Sequence, residues 1–134
     1  MEGDKTEKIT VNMGLVDLGQ IDLLVQEGFY ANRTDFFRAA VRRQLGTHAG
    51  AVDQVVARKT LTLGVLNLTR ADLERHRAEG SRVQVRVLGL ATIAPDVTPE
   101  LAAATIESVE VLGAFRAPPD VTAALAQRTV RGTR

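Results

Sequence analysis

Between Lys8 and Met13 the chain alternates strictly, with Ile9, Val11 and Met13 on one side of an extended backbone and Lys8, Thr10 and Asn12 on the other. That pattern predicts a short, half-buried strand. From Leu15 to Glu27 the spacing changes: Leu18, Ile21, Leu24 and Val25 recur at helical intervals, and Gly28 stands where a left-handed C-cap would end the helix. Asn32-Arg33-Thr34-Asp35 then supplies an N-cap oxygen with an acidic residue three positions on, leading into Phe36, Phe37, Ala40, Val41, Gln44 and Leu45. A second helix is expected there, ending near Gly46.

A lone strand leaves its main-chain donors and acceptors unpaired, and about 40 residues bury too little surface to be stable alone. A second copy removes both difficulties. Two such strands, antiparallel across a two-fold axis, would form a ribbon over a shared helical core, making folding and dimerisation one event. The expected core of that dimer is Ile9, Val11, Met13, Ile21, Phe37 and Val41. After Gly46 the pattern weakens: His48-Ala49-Gly50 interrupts it, while Val52, Val55 and Val56 could extend a helical face. Residues 47–59 are therefore expected to be a linker of uncertain structure.

The remainder, residues 60–134, repeats itself. Val87-Leu88-Gly89, Pro95-Asp96-Val97 and Leu101 match Val111-Leu112-Gly113, Pro119-Asp120-Val121 and Leu125 at a constant offset of 24. A weaker copy precedes them, from Leu63-Gly64-Val65-Leu66 to Asp72-Leu73. Each unit reads as a β-rich stretch, Val83–Ile93 and Ser108–Ala117 in the two clear copies, followed by a Pro-Asp turn and a short helical piece. The expectation is an α/β or β-solenoid-like domain with a period of about 24 residues. Gly89 and Gly113 are read as strand bends rather than ligand contacts.

Composition narrows the possibilities. The apolar fraction is 45% but the aromatic fraction only 4%, so the cores must be built from Val, Leu, Ile and Ala. There is no cysteine, which excludes disulfides and thiolate-bound metal and suits a reducing cytoplasm. The charged start and the lack of a long apolar run argue against a secretion signal or a membrane span. A net charge of +1 gives no electrostatic argument for nucleic acid.

In the order and spacing of its parts, residues 8–45 resemble the ribbon-helix-helix family of bacterial regulators, the Arc, MetJ and CopG type. The resemblance rests on the Lys8-Ile9-Thr10-Val11-Asn12 alternation, the Gly28 turn and the Asn32-Arg33-Thr34-Asp35-Phe36 start of the second helix. It implies an α+β fold beginning with an intertwined dimer whose ribbon enters the DNA major groove. Lys8, Thr10 and Asn12 would then contact bases, by type guanine for Lys8, adenine for Asn12 and a hydrogen bond or thymine methyl for Thr10. Asn32, Arg33 and Thr34, at a helix N-terminus with free N–H groups, would contact phosphate. Two features depart from the family pattern: Asn12 is neutral where arginine is common, and residues 1–46 carry six basic against seven acidic side chains. Backbone affinity should therefore be modest and salt-sensitive unless several dimers bind side by side.

No other chemistry competes with this reading. His48 and His76 are the only histidines and are expected to be solvated, so no metal or cofactor is expected. Ser81 and Ser108 sit in no nucleophile elbow, no phosphate loop or carboxylate pair appears, and no catalytic residue is expected. Arg70, Arg75, Arg77, Arg82 and Arg86 alternate with Asp72, Glu74 and Glu79 as on a solvated helix face. The expected organisation is a DNA-binding and dimerisation domain (1–46), a linker (47–59) and a repeat domain for oligomerisation or partner binding (60–134). The expected function is transcriptional regulation on double-stranded DNA in the cytoplasmic nucleoid. The alternatives are an antitoxin whose second half covers a toxin protein, and a DNA-organising protein that polymerises through its repeats.

Overall fold

The computed structural model describes residues 5–131, which divide into two compact units, residues 5–55 and 56–131. Glu2 and Asp4 of the acidic start, and the last three residues of the expected repeat domain, lie outside the described residues.

In the first unit, α1 (Leu15–Gln26) and α2 (Arg33–Thr47) are joined by a turn whose geometry the sequence dictates. Gly28 takes φ 88°, a conformation that costs glycine nothing. The Gly28 N–H donates to the Val25 carbonyl and the Phe29 N–H to the Leu24 carbonyl, at 3.1 and 2.9 Å. These bonds satisfy carbonyls that would otherwise be left open at the end of α1. At the other side of the turn the Asn32 side chain caps α2, accepting from the Asp35 N–H at 2.8 Å. Tyr30 packs edge-on against Phe36, and Phe36 against Phe37.

The strand expected at residues 8–13 is one that pairs across two copies. Residues 8–13 form no strand within one chain: Ile9 is 77% and Val11 70% exposed, and only Met13 is partly buried. The reason is the absence of any segment of the same chain that pairs with them. The segment 47–59, expected as a linker of uncertain structure, contains helix α3 (Ala49–Lys59). Its first turn closes on the His48 carbonyl, which accepts from the Val52 N–H at 3.0 Å. Gly50 falls in that first turn rather than in the helix interior, where glycine's conformational freedom costs most, and Val52, Val55, Val56 and Lys59 then follow at helical spacing. The second helix also runs past Gly46 to Thr47.

The second unit alternates strands and helices: β1 (Thr62–Leu68), α4 (Arg70–Glu79), β2 (Val83–Ile93), α5 (Pro99–Thr105), β3 (Ile106–Arg116), α6 (Pro119–Ala124) and, after a 3-10 turn, β4 (Thr129–Arg131). The four strands are parallel and lie in chain order. Parallel neighbours need a crossover, and α4, α5 and α6 supply it. Two of these helices start at threonine caps, Thr69 for α4 and Thr98 for α5. Asp72 completes a capping box with Thr69, and Gly80 at φ 70° ends α4. Pro95-Asp96 forms a turn before α5, whereas Pro119-Asp120 opens α6 itself, with proline in its first turn. The matching dipeptides of the two clear copies therefore occupy different structural positions.

Val85, Val87, Ala91 and Ile93 of β2 and Val109 and Val111 of β3 point to one side, where Leu73, Leu101, Ala102, Val121 and Leu125 complete a single buried cluster. Thr105, the one buried polar residue among the described residues, donates its hydroxyl proton to the Leu101 carbonyl at 2.7 Å. The other side chains of the strands face away from these helices, as the two-residue period requires.

Gly64 pairs with Gly89 and Gly89 with Gly113, offsets of 25 and 24 residues. All three take positive φ, at 126°, 139° and 118°. A Cβ on Gly89 would overlap the Gly64 carbonyl oxygen, and one on Gly113 would overlap the Gly89 carbonyl oxygen. These glycines are therefore required by close backbone approach in adjacent strands as well as by conformation. Gly113→Ala is expected to destabilise the protein by about 2–4 kcal/mol, combining backbone strain with displacement of β2. Gly64→Ala meets no neighbouring atom within 4 Å and should cost less. Urea unfolding of the three proteins checks the order, and equal midpoints would refute it.

Candidate nucleic-acid interface

Lys8, Thr10 and Asn12 are all exposed, and none makes a hydrogen bond to another described residue. Their polar groups are thus available, and strict alternation puts them on one side of the backbone whenever that backbone is extended. The intervening Ile9 and Val11 are equally exposed, an arrangement that costs free energy in water and favours covering them.

Asn32, Arg33 and Thr34 stand together at the start of α2. The first N–H groups of a helix have no intrahelical acceptor, and the helix dipole adds a partial positive charge there. Asn32 takes up one such group, that of Asp35, leaving those of Arg33 and Thr34 without a partner among the described residues. Two carboxylates temper the site. Asp35 turns back to accept from the Ala31 N–H at 3.0 Å. Asp22 on α1 accepts from Arg33 through both oxygens, at 2.8 and 2.9 Å. This fork-to-fork pair holds the Asp22 carboxyl below its ordinary range, chiefly through the side-chain hydrogen bond from Arg33, and raises the Arg33 guanidinium correspondingly.

Of the residues expected in a dimer core, Ile21 alone is buried, at 4% exposure, and it is the only buried residue among the described residues up to Val55. Phe37 and Val41 are exposed on α2, where with Thr34, Arg38 and Arg42 they line a shallow hollow. Sequence reasoning named Leu45 as part of the helix but omitted it from the core. It is exposed too and continues the Phe37-Val41 stripe at intervals of four. Leu15, Leu23 and Phe29 are further exposed apolar side chains of this unit. The Asp22–Arg33 pair was not foreseen, because eleven positions separate its members and only the Gly28 turn brings them together.

A sequence profile of the Ribbon-Helix-Helix transcriptional regulator family matches residues 4–122. The chain belongs to that family. The match extends through β1, β2 and β3, so the second unit is part of what defines this ribbon-helix-helix protein, and the family resemblance is not confined to residues 8–45. No match was found among curated proteins or among solved structures. No helix among the described residues is long and apolar enough to cross a membrane.

The ion pair makes a testable statement. A depressed folded-state carboxyl pKa contributes stability that is present above the unfolded value, about 3.9, and is lost as pH falls through the lower folded value. Titration of Asp22 by carboxyl-detected NMR should therefore give a midpoint below the usual range, and Arg33→Ala should move it back up. An unshifted midpoint in both proteins would show that the pair does not persist in solution.

Proposed function

We propose that this ribbon-helix-helix protein is a sequence-specific DNA-binding dimer that acts as a transcriptional regulator. Residues 8–13 of two copies pair antiparallel into a ribbon. Lys8, Thr10 and Asn12 of both copies enter the major groove and contact base edges, while the N–H groups of Arg33 and Thr34, with the Asn32 cap, hold a phosphate and fix register. On the opposite face of the ribbon, Ile9, Val11 and Met13 cover Ile21, Phe37 and Val41 from both copies.

The observation that carries this reading is the single buried residue, Ile21, in a unit otherwise surfaced by Ile9, Val11, Leu15, Leu23, Phe37, Val41 and Leu45. A unit with that little core is not stable in isolation, and a ribbon built from two copies supplies both the missing hydrogen-bond partners and the missing cover. Family membership is consistent with DNA as the ligand.

The second unit is proposed to be solenoid-like. Its successive strand–helix segments stack with a period of 24 to 25 residues, each contacting its neighbours, and the unit would bring dimers together or receive a partner.

The test uses DNA selected from a random pool. Thr10→Ala and Asn12→Ala should each weaken specific binding about tenfold or more in a gel shift, a loss in keeping with about 1–3 kcal/mol per base contact, while sedimentation shows the dimer intact. Unchanged affinity and specificity would remove the ribbon from recognition. Asp22→Ala releases Arg33 for phosphate and is expected to steepen the salt dependence of binding by about one unit of log–log slope. An unaltered slope would show that Arg33 does not approach the backbone.

A further inference from the structure

The sheet of the second unit is covered on one side only. Parallel sheets are almost always covered on both faces, and the free face here is apolar at its centre. Leu63, Leu88 and Leu112 form one row across β1, β2 and β3, and Val65, Leu90 and Ala114 form the next row on that face. Leu63 is 66% and Val65 47% exposed, and the other four are partly exposed. Arg86 and Glu110 flank these rows on one side, at 3.4 Å from each other, and Lys59 reaches the second Glu110 oxygen at 3.4 Å. Thr92 and Arg116 flank them on the other.

We propose that this face packs against the same face of a second copy, about a two-fold axis parallel to the strands and between β2 and β3. The rows of the two middle strands then match, with β1 lying opposite the β4 edge of the second copy. Leu88 faces Leu112 of the second copy, Leu90 faces its Ala114, a large side chain against a small one, Arg86 faces its Glu110, and Thr92 faces its Arg116. Moving the axis onto β2 would set Arg86 against Arg86, and onto β3 Glu110 against Glu110, so charge selects the position between them. Turning the axis perpendicular to the strands would send the two β1 starts to opposite ends of the sandwich.

The parallel axis keeps the β1 starts at the same end, as chain connectivity requires if the first units of both chains are paired. In that respect the inference rests on the ribbon dimer proposed above. Such tethering raises the effective concentration of one face for the other to roughly the millimolar range, so a modest apolar patch suffices. The Arg86–Glu110 pairs of the two copies lie at the edge of the contact, where they set orientation more than affinity.

The chain has no cysteine, so single thiols can be placed at will. Leu88→Cys and, separately, Leu112→Cys are treated at micromolar concentration with a short bifunctional maleimide. Arg75→Cys on the exposed side of α4 serves as control, and Val11→Cys reports on the ribbon. A covalent dimer is expected as the main product for the two sheet variants and for Val11→Cys, with none for Arg75→Cys. Crosslinking at Val11 but at neither sheet position overturns the sheet pairing and leaves the ribbon standing. Crosslinking in the sheet but not at Val11 supports the pairing and removes the ribbon reading, and no crosslinking anywhere overturns both.

Discussion

The structure of this protein turns on how little its first unit can bury. Between Lys5 and Val55 one side chain, Ile21, is out of water, while a core residue in a stable domain touches six to twelve others. Two helices joined by one well-formed turn have correct local chemistry at every step, from the Gly28 C-cap to the Asn32 N-cap, and still lack anything to pack around. Capping is worth about 1 kcal/mol per site, which cannot stand in for a core. Local structure in this unit is thus specified by its own residues, whereas the apolar surface it buries is small.

The second unit solves the same problem internally. Its buried cluster draws on three helices and three strands, and β1, β2 and β3 share one pattern: alternate aliphatic side chains inward and a glycine where the backbones approach. Because Gly89 is constrained by the carbonyl of Gly64, and Gly113 by that of Gly89, each strand fixes the register of the next. A parallel sheet can slip by two residues without exposing its apolar face. The glycine row forbids that slip, since any other residue brought into the row would carry a Cβ into a carbonyl oxygen.

Much of this was legible in the sequence, for identifiable reasons. The turn at Gly28, the cap at Asn32 and the strand at Val83–Ile93 are set by residues adjacent in the chain, and short-range patterns report short-range causes. The recurring Leu-Gly pairs at Gly64, Gly89 and Gly113 stand out in the sequence, and these glycines pair across adjacent strands. What escaped notice depended on neighbours distant in sequence: the Asp22–Arg33 pair and the steric reason for the glycines. Residues 8–13 illustrate the converse. Their alternation is unmistakable, yet one chain holds no strand there, since a period of two specifies which side chains share a face but supplies no partner.

The edges of the second sheet bear on whether copies could add end to end. Growth in the register already used inside the molecule would place Gly64 of the next copy beside Gly113, and hence its Thr62 beside Val111. That position is taken, because β4 pairs with β3 at Val109, Glu110 and Val111. Continuation by the internal rule is therefore blocked at one end by the chain's own last strand, as a capping segment blocks growth in other stacked folds. Head-to-tail polymerisation through the strands would first require β4 to detach, and an interface that unpairs backbone hydrogen bonds before making new ones has little to gain. Contacts that close on themselves, with each copy presenting the same surface to the other, carry no such penalty. Within the described residues, β4 thus covers the start of the β3 edge, where repetition of the internal register would begin.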